Sequence, residues 1–433
     1  MHLNDPREFL TRVFRAGITA ADPRLVTRQA VEALTGLAPS VWVIAVGKAA
    51  HGMASGAVEA IRARRISIAG GLVVAHEPGW NPPHGLPFVQ GNHPTPGVGS
   101  QLAAEHLRDL ASETTDASDA IVLVSGGATS LMAAPIDGVN VTELREAFTA
   151  LLASGADIEL MNSARKRLLR FGAGRLALAL QCRRVHCLIA SDVIGNDPAS
   201  IASGPCVPDT TTAADVRKRV QAAGAWEKLP ESVRALLDAM ADGRVPDVPS
   251  PDHPRFESTT ATVILDRTHA ERGAAAEAQT LGVTPEVRST PLTGDAATAG
   301  RQFAQDLISR SRQGSESVIW SGETTVSLGN SPEPGGRCQE FALACAGALE
   351  RAGADASGIT VLAAGTDGRD GPTDAAGAIV DALTWSAIRH RGLDPAAALR
   401  HHASYRALEE AGALLKTGPT GTNVNDLVVA LLN

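Results

Sequence analysis

Short apolar runs recur along this chain: VWVIAV at 41–46, GLVVA at 71–75, AIVLV at 120–124 and VHCLIA at 185–190. The pattern continues with TVIL at 262–265, SVIW at 317–320, ITVLAA at 359–364 and DLVVALL at 426–432. β-Branched residues fill these runs and glycine-rich or polar loops close most of them, so each reads as a buried strand. Between them, and over 7–35, apolar residues follow three- and four-residue spacing and predict helices. Strands that alternate with helices and are apolar throughout predict an α/β fold with covered, largely parallel sheets. In such sheets ligands bind beyond the carboxyl ends of the strands, so the loops there are the candidate site.

The 433 residues suffice for two domains, and a hydrophobic fraction of 44% supplies two cores. Residues 242–254 hold four prolines and few apolar residues, which predicts a boundary there. One domain is expected over 1–245 and a second over 255–433, with the opening helix, 1–38, free to pack on either. A net charge of −8 argues against a general nucleic-acid partner. The five cysteines include no C-x-x-C, so buried thiols are expected rather than disulfides or a zinc site. The first residues lack a signal-peptide apolar core, and no run of about 18 apolar residues offers a membrane span. A cytoplasmic address without a membrane partner is expected.

Several strand-end loops could carry chemistry. Only five lysines occur against many arginines, and Lys48 stands in a glycine turn directly after a strand. A flexible point charge there suits phosphate oxygens, although a plain surface lysine fits the same position. Ser125-Gly126-Gly127 could turn its backbone N–H groups toward an anion, or could be a tight strand–helix turn. Asp192, Asn196 and Asp197 follow the 185–190 strand and could hold Mg²⁺, take a proton or simply shape a turn. Arg337, after two glycines, could clamp a carboxylate or phosphate. Glu323, Asp367, Asp370 and Asp374 add acidic groups on similar loops. His93, framed by prolines, reads as structural. The first strand–turn runs GKAAHG at 47–52 and lacks the dinucleotide fingerprint; there is also no P-loop and no G-x-S-x-G elbow.

Taken together, the loops resemble those of the glycerate 2-kinase family, the MOFRL-type kinases formerly called hydroxypyruvate reductases. The resemblance spans nearly the whole chain. It rests on VGKAA at 46–50, HPTP at 93–96, VSGG at 124–127, SDVIGNDP at 191–198, IASGP at 201–205, GETTV at 322–326, GGR at 335–337, GTDG at 365–368 and GTNVND at 421–426. The chain departs from the family pattern at Gly97, Ala128, Gly172 (a family lysine), Ser321 and Cys338.

The resemblance implies two α/β domains, the first Rossmann-like and the second MOFRL-type, with the active site in the cleft between them. It implies ATP and Mg²⁺ as cofactors and glycerate, or a closely related small hydroxy acid, as substrate, giving 2-phosphoglycerate. Lys48, Asp192 and Arg337 become the expected catalytic residues, with Asp192 as base or metal ligand. Ser125, Gly126, Gly127, Ser130, Asn196, Glu323, Thr324 and Asn423 are expected to bind substrate or phosphate, and Asp192, Asp197 and Asp367 to hold the metal. A homodimer is left open. The competing expectations are an NAD(P)H-dependent hydroxypyruvate reductase and a kinase-like binder of an anionic metabolite.

Overall fold

The computed structural model describes residues 5–77, 85–310, 316–326 and 333–433. The chain divides into two compact units, Pro23–Ile264 on one side and Met1–Asp22 with Leu265–Asn433 on the other. The helix expected over 7–35 is broken between them, into Pro6–Ala20 and Pro23–Ala33. Pro23 has no N–H to give and its ring would collide with the preceding turn, so it can only start a helix.

The Pro23–Ile264 unit is built on β1 (Ser40–Val46), β2 (Ser67–Ala75), β3 (Phe88–Gln90), β4 (Asp119–Ser125), β5 (Arg184–Ala190) and β6 (Thr259–Leu265), in the order β3-β2-β1-β4-β5-β6. Strands β1 to β5 pair in parallel. Every residue of β4 is buried, as a strand covered on both faces requires. This is the doubly wound order, and its crossovers change direction between β1 and β4. A second apolar cluster, with Leu144, Met161, Leu168, Val216 and Leu237, joins helices Val141–Ala153, Ile158–Leu168, Ala213–Ala222 and Glu231–Ala241.

The boundary expected at 245–255 falls instead at 264/265, because the proline-rich stretch is tied into this unit. Its Asp247 pairs with the fully buried Arg167 at 2.9 Å and accepts the Ala213 N–H at 2.7 Å. Arg255 donates to the carbonyls of Ala177 and Cys182. A buried guanidinium without such a carboxylate would be costly, so the segment cannot hang free as a linker. Strand β6, expected to open the second domain, instead closes the first sheet.

The other unit holds β7 (Thr284–Val287), β8 (Glu316–Gly322), β9 (Ile359–Gly365), β10 (Gly377–Asp381), β11 (Leu414–Leu415) and β12 (Asp426–Leu432), ordered β11-β10-β9-β12-β8-β7. Here the expectation of a largely parallel sheet fails. Only β7–β8 is parallel; β12 runs antiparallel to both β8 and β9, and β10 to β9 and β11. The connection 366–376 between β9 and β10 contains no helix, and strands joined without a crossover helix return antiparallel. Helix Arg337–Ala352, buried along most of its length, is the centre of the core. The opening helix packs on helix Arg267–Thr280, where Gly17 and Gly273 let the backbones approach closely.

All five cysteines are free and buried. Among the described residues no helix is long and apolar enough to cross a membrane.

Candidate active site

In the Pro23–Ile264 unit the site forms where the crossovers diverge, at the carboxyl ends of β1 and β4. The two loops are stitched together by hydrogen bonds. Lys48 N–H donates to the Gly126 carbonyl at 2.9 Å, and Ala49 N–H donates to Ser125 Oγ at 3.0 Å. Gly47 has φ +134°, and a Cβ there would lie 2.0 Å from Ser125 Oγ, so only glycine fits. Ser125 is buried and braces the turn.

Three side chains then gather on the two glycines. A Cβ on Gly126 would sit 1.9 Å from Asp192 Oδ2, so that carboxylate lies directly against the glycine backbone. A Cβ on Gly127 would meet His93 Nε2 at 3.1 Å and Lys48 Cγ at 3.5 Å. Lys48 itself is exposed. Burial, with the charges of Lys48 and His76 behind it, pushes the His93 pKa down to about 4. His93 is therefore neutral near pH 7, with its ring against the same glycine as the Lys48 Cγ methylene. The residues alone gave His93 a structural reading, and the fold lays its ring against the backbone of Gly127, 34 positions on.

The neighbouring expectations fall into place less directly. Ser130 Oγ donates to the Pro94 carbonyl at 2.8 Å and steadies the His93 loop. Asn196 adopts φ +53°, which its short polar side chain tolerates. Asp197 is exposed and shapes a turn, accepting from Ala199 N–H at 3.1 Å and from Ser200 Oγ at 2.5 Å.

The other unit has its own polar cluster. Because β12 runs antiparallel between β8 and β9, its first residue, Asp426, pairs with their last, Gly322 and Gly365. Register thus brings Glu323, Thr366, Asp367 and Asp426 to one sheet edge. Arg337, the first residue of its helix, makes a two-pronged contact with Asp426 at 2.6 and 2.9 Å and meets Glu323 at 2.9 Å. Burial opposes its charge, but the hydrogen bonds and field of Asp426 raise the guanidinium pKa overall. Asn425 Nδ2 donates to Glu323 at 3.3 Å. Asp370 accepts the N–H groups of Cys338 and Gln339 at 3.1 and 2.8 Å. Burial, then the nearby Asp426 charge, pushes its carboxyl up to about 7. A Cβ on Gly336 would lie 2.2 Å from that carboxyl.

Asp367 accepts from Arg369 N–H, Thr324 is buried and Asn423 is half-buried. At the departure Ser321, the hydroxyl donates to the buried Glu271 at 2.6 Å and accepts from Arg267 at 3.2 Å. Asp426 was missed as a site residue. Its signal was an acid opening an otherwise apolar strand, since a buried carboxylate needs a cationic partner.

Among the described residues no three His, Cys, Asp or Glu side chains form a metal cage. Mg²⁺ bound chiefly by nucleotide phosphates needs only one or two carboxylates. Asp192, against the glycine turn, fits that need better than Asp426, whose two oxygens both face Arg337.

A doubly wound domain with a lysine and a carboxylate on its switch-point turn, joined to a mixed-sheet domain with an arginine held by acids, defines a class of two-part α/β proteins. Residues 9–238 match DUF4147, a domain of unknown function, and residues 316–426 match the MOFRL family. The chain is 34% identical to a glycerate 2-kinase of Pyrococcus horikoshii, covering 99% of this chain and 98% of that one. It is 36% identical to a D-glycerate 2-kinase of Thermotoga maritima, covering 90% of each. A crystal structure of a Thermotoga maritima glycerate kinase superposes with a TM-score of 0.87 at 33% identity, covering 99% of both chains. The chain belongs to the glycerate kinase family.

Proposed function

We propose that this protein transfers the γ-phosphoryl group of ATP to a hydroxyl of glycerate, giving 2-phosphoglycerate and ADP. The observation that carries this reading is the gathering of Lys48, His93 and Asp192 on Gly126–Gly127. The setting is a family whose relatives include glycerate 2-kinases.

Phosphoryl transfer asks mainly for positioning and for charge to meet the phosphoryl oxygens. The turn supplies backbone room for phosphate and the Lys48 ammonium supplies the charge. Asp192 supplies an anionic oxygen, as ligand to Mg²⁺ through the phosphates or as acceptor of the hydroxyl proton. Mn²⁺ substitution separates these roles: it should partly restore Asp192→Asn if the carboxylate binds metal, and not if it takes the proton. His93, neutral, offers a hydrogen bond without competing charge. In the other unit, Arg337 is held between Glu323 and Asp426 as a fixed cation of the kind that meets an anionic substrate group.

ADP release across a panel of small hydroxy acids tests the assignment. Glycerate should turn over fastest and only with ATP and Mg²⁺. Steady oxidation of NADH or NADPH by hydroxypyruvate without ATP would replace this reading with a reductase. The turn at 47–52 lacks the glycine spacing that such a cofactor requires.

A further inference from the structure

Away from the glycine turn, the Pro23–Ile264 unit contains a cavity of about 300 Å³ between helix Val141–Ala153, helix Ile158–Leu168 and the loop after His93. That volume lies at the lower end of small-ligand sites. Its walls are mainly apolar, with Pro96, Leu144, Phe148 and Leu152 among them, and Leu152 is 67% exposed at its edge. Two arginines also line it, Arg145 and Arg165. Among the described residues the Arg165 guanidinium makes neither a hydrogen bond nor an ion pair, and its central carbon stands 5.1 Å over the ring of Phe148. Arg145 donates to the Pro96 carbonyl at 3.3 Å and likewise has no acidic partner among the described residues. Most arginines around these helices do have one: Arg167, Arg170, Arg217 and Arg219 are all paired with carboxylates.

We propose that this cavity binds a small organic carboxylate with a hydrocarbon body, seated on Phe148 and held by the Arg165 and Arg145 guanidiniums. A guanidinium stacked on a ring keeps its N–H edge open, and that planar edge matches a carboxylate. The apolar walls favour a monoanion with a hydrocarbon tail over phosphate, whose larger charge costs more to strip of water. The loop that forms one wall also carries His93, so an occupant would touch the far side of a segment whose histidine faces Gly127.

Isothermal titration of the full chain tests this with three probes: hexanoate, inorganic phosphate and the neutral hexanol. Hexanoate should bind one per chain, and at least about tenfold tighter than either control. Arg165→Met should weaken hexanoate about tenfold or more, with glycerate turnover unchanged. Leu152→Glu, which alters an exposed side chain, should also weaken hexanoate by placing a negative charge at the mouth. The proposal is overturned if hexanoate fails to bind, if either control binds as tightly, or if both variants keep the wild-type affinity.

Discussion

The contacts around Gly126 leave no room for a methyl group. Gly126→Ala would put a Cβ 1.9 Å from the Asp192 carboxylate, and that carboxylate must move. A displacement near 1 Å at a reacting centre costs on the order of 100-fold in rate. Steady-state turnover of the alanine variant, measured beside its circular dichroism, should show such a loss in a folded protein. Asp370 offers a test by pH. Its folded value lies near 7 against an ordinary 3.8, so the protonated form is favoured by folding. The stability this adds is complete below the unfolded value and disappears as pH rises through about 7. The thermal midpoint of the wild type should therefore fall between pH 5 and 8 more steeply than that of Asp370→Asn.

Residue type and loop position made Lys48, Asp192 and Arg337 candidates in the sequence, and the family resemblance made them the expected catalytic residues. Asp426 and the role of His93 did not stand out. Arg337, which pairs with Asp426, and Gly127, which lies against the His93 ring, are 89 and 34 positions away, and only register or backbone proximity joins them.

At the scale of elements, eight strands were legible from their apolar runs, whereas the shorter β3, β7, β10 and β11 were not. Nor was strand direction. An apolar run looks alike in either direction, and direction follows from how the chain connects and orders the strands, which the runs themselves do not show. The broken opening helix shows the same limit, since spacing continued across Pro23 while the backbone could not. The close helix pair in the Leu265–Asn433 unit makes its own prediction. A Cβ at Gly273 would lie 2.4 Å from Ala20 Cβ and 2.6 Å from the Ala16 carbonyl. Gly273→Leu should push the opening helix off its neighbour and lower stability by about 1–3 kcal/mol. Denaturant unfolding measures that loss, and faster hydrogen exchange over Pro6–Ala20 would locate it.

For the molecule as a whole, composition indicated two cores and their approximate division. The boundary moved because a proline-rich stretch that looks like a linker carries Asp247, the partner of a buried arginine. Both compact units contribute to the account, Lys48 with Asp192 in one and Arg337 with its two acids in the other. The most direct test is phosphorus NMR of the protein with ATP, Mg²⁺ and racemic glycerate, run beside Lys48→Met. Glycerate phosphorylated on its 2-hydroxyl should accumulate in step with ADP, and the folded variant should be slower by about 100- to 1,000-fold. No phosphorylated glycerate from the wild type, or undiminished product from Lys48→Met, would contradict the account.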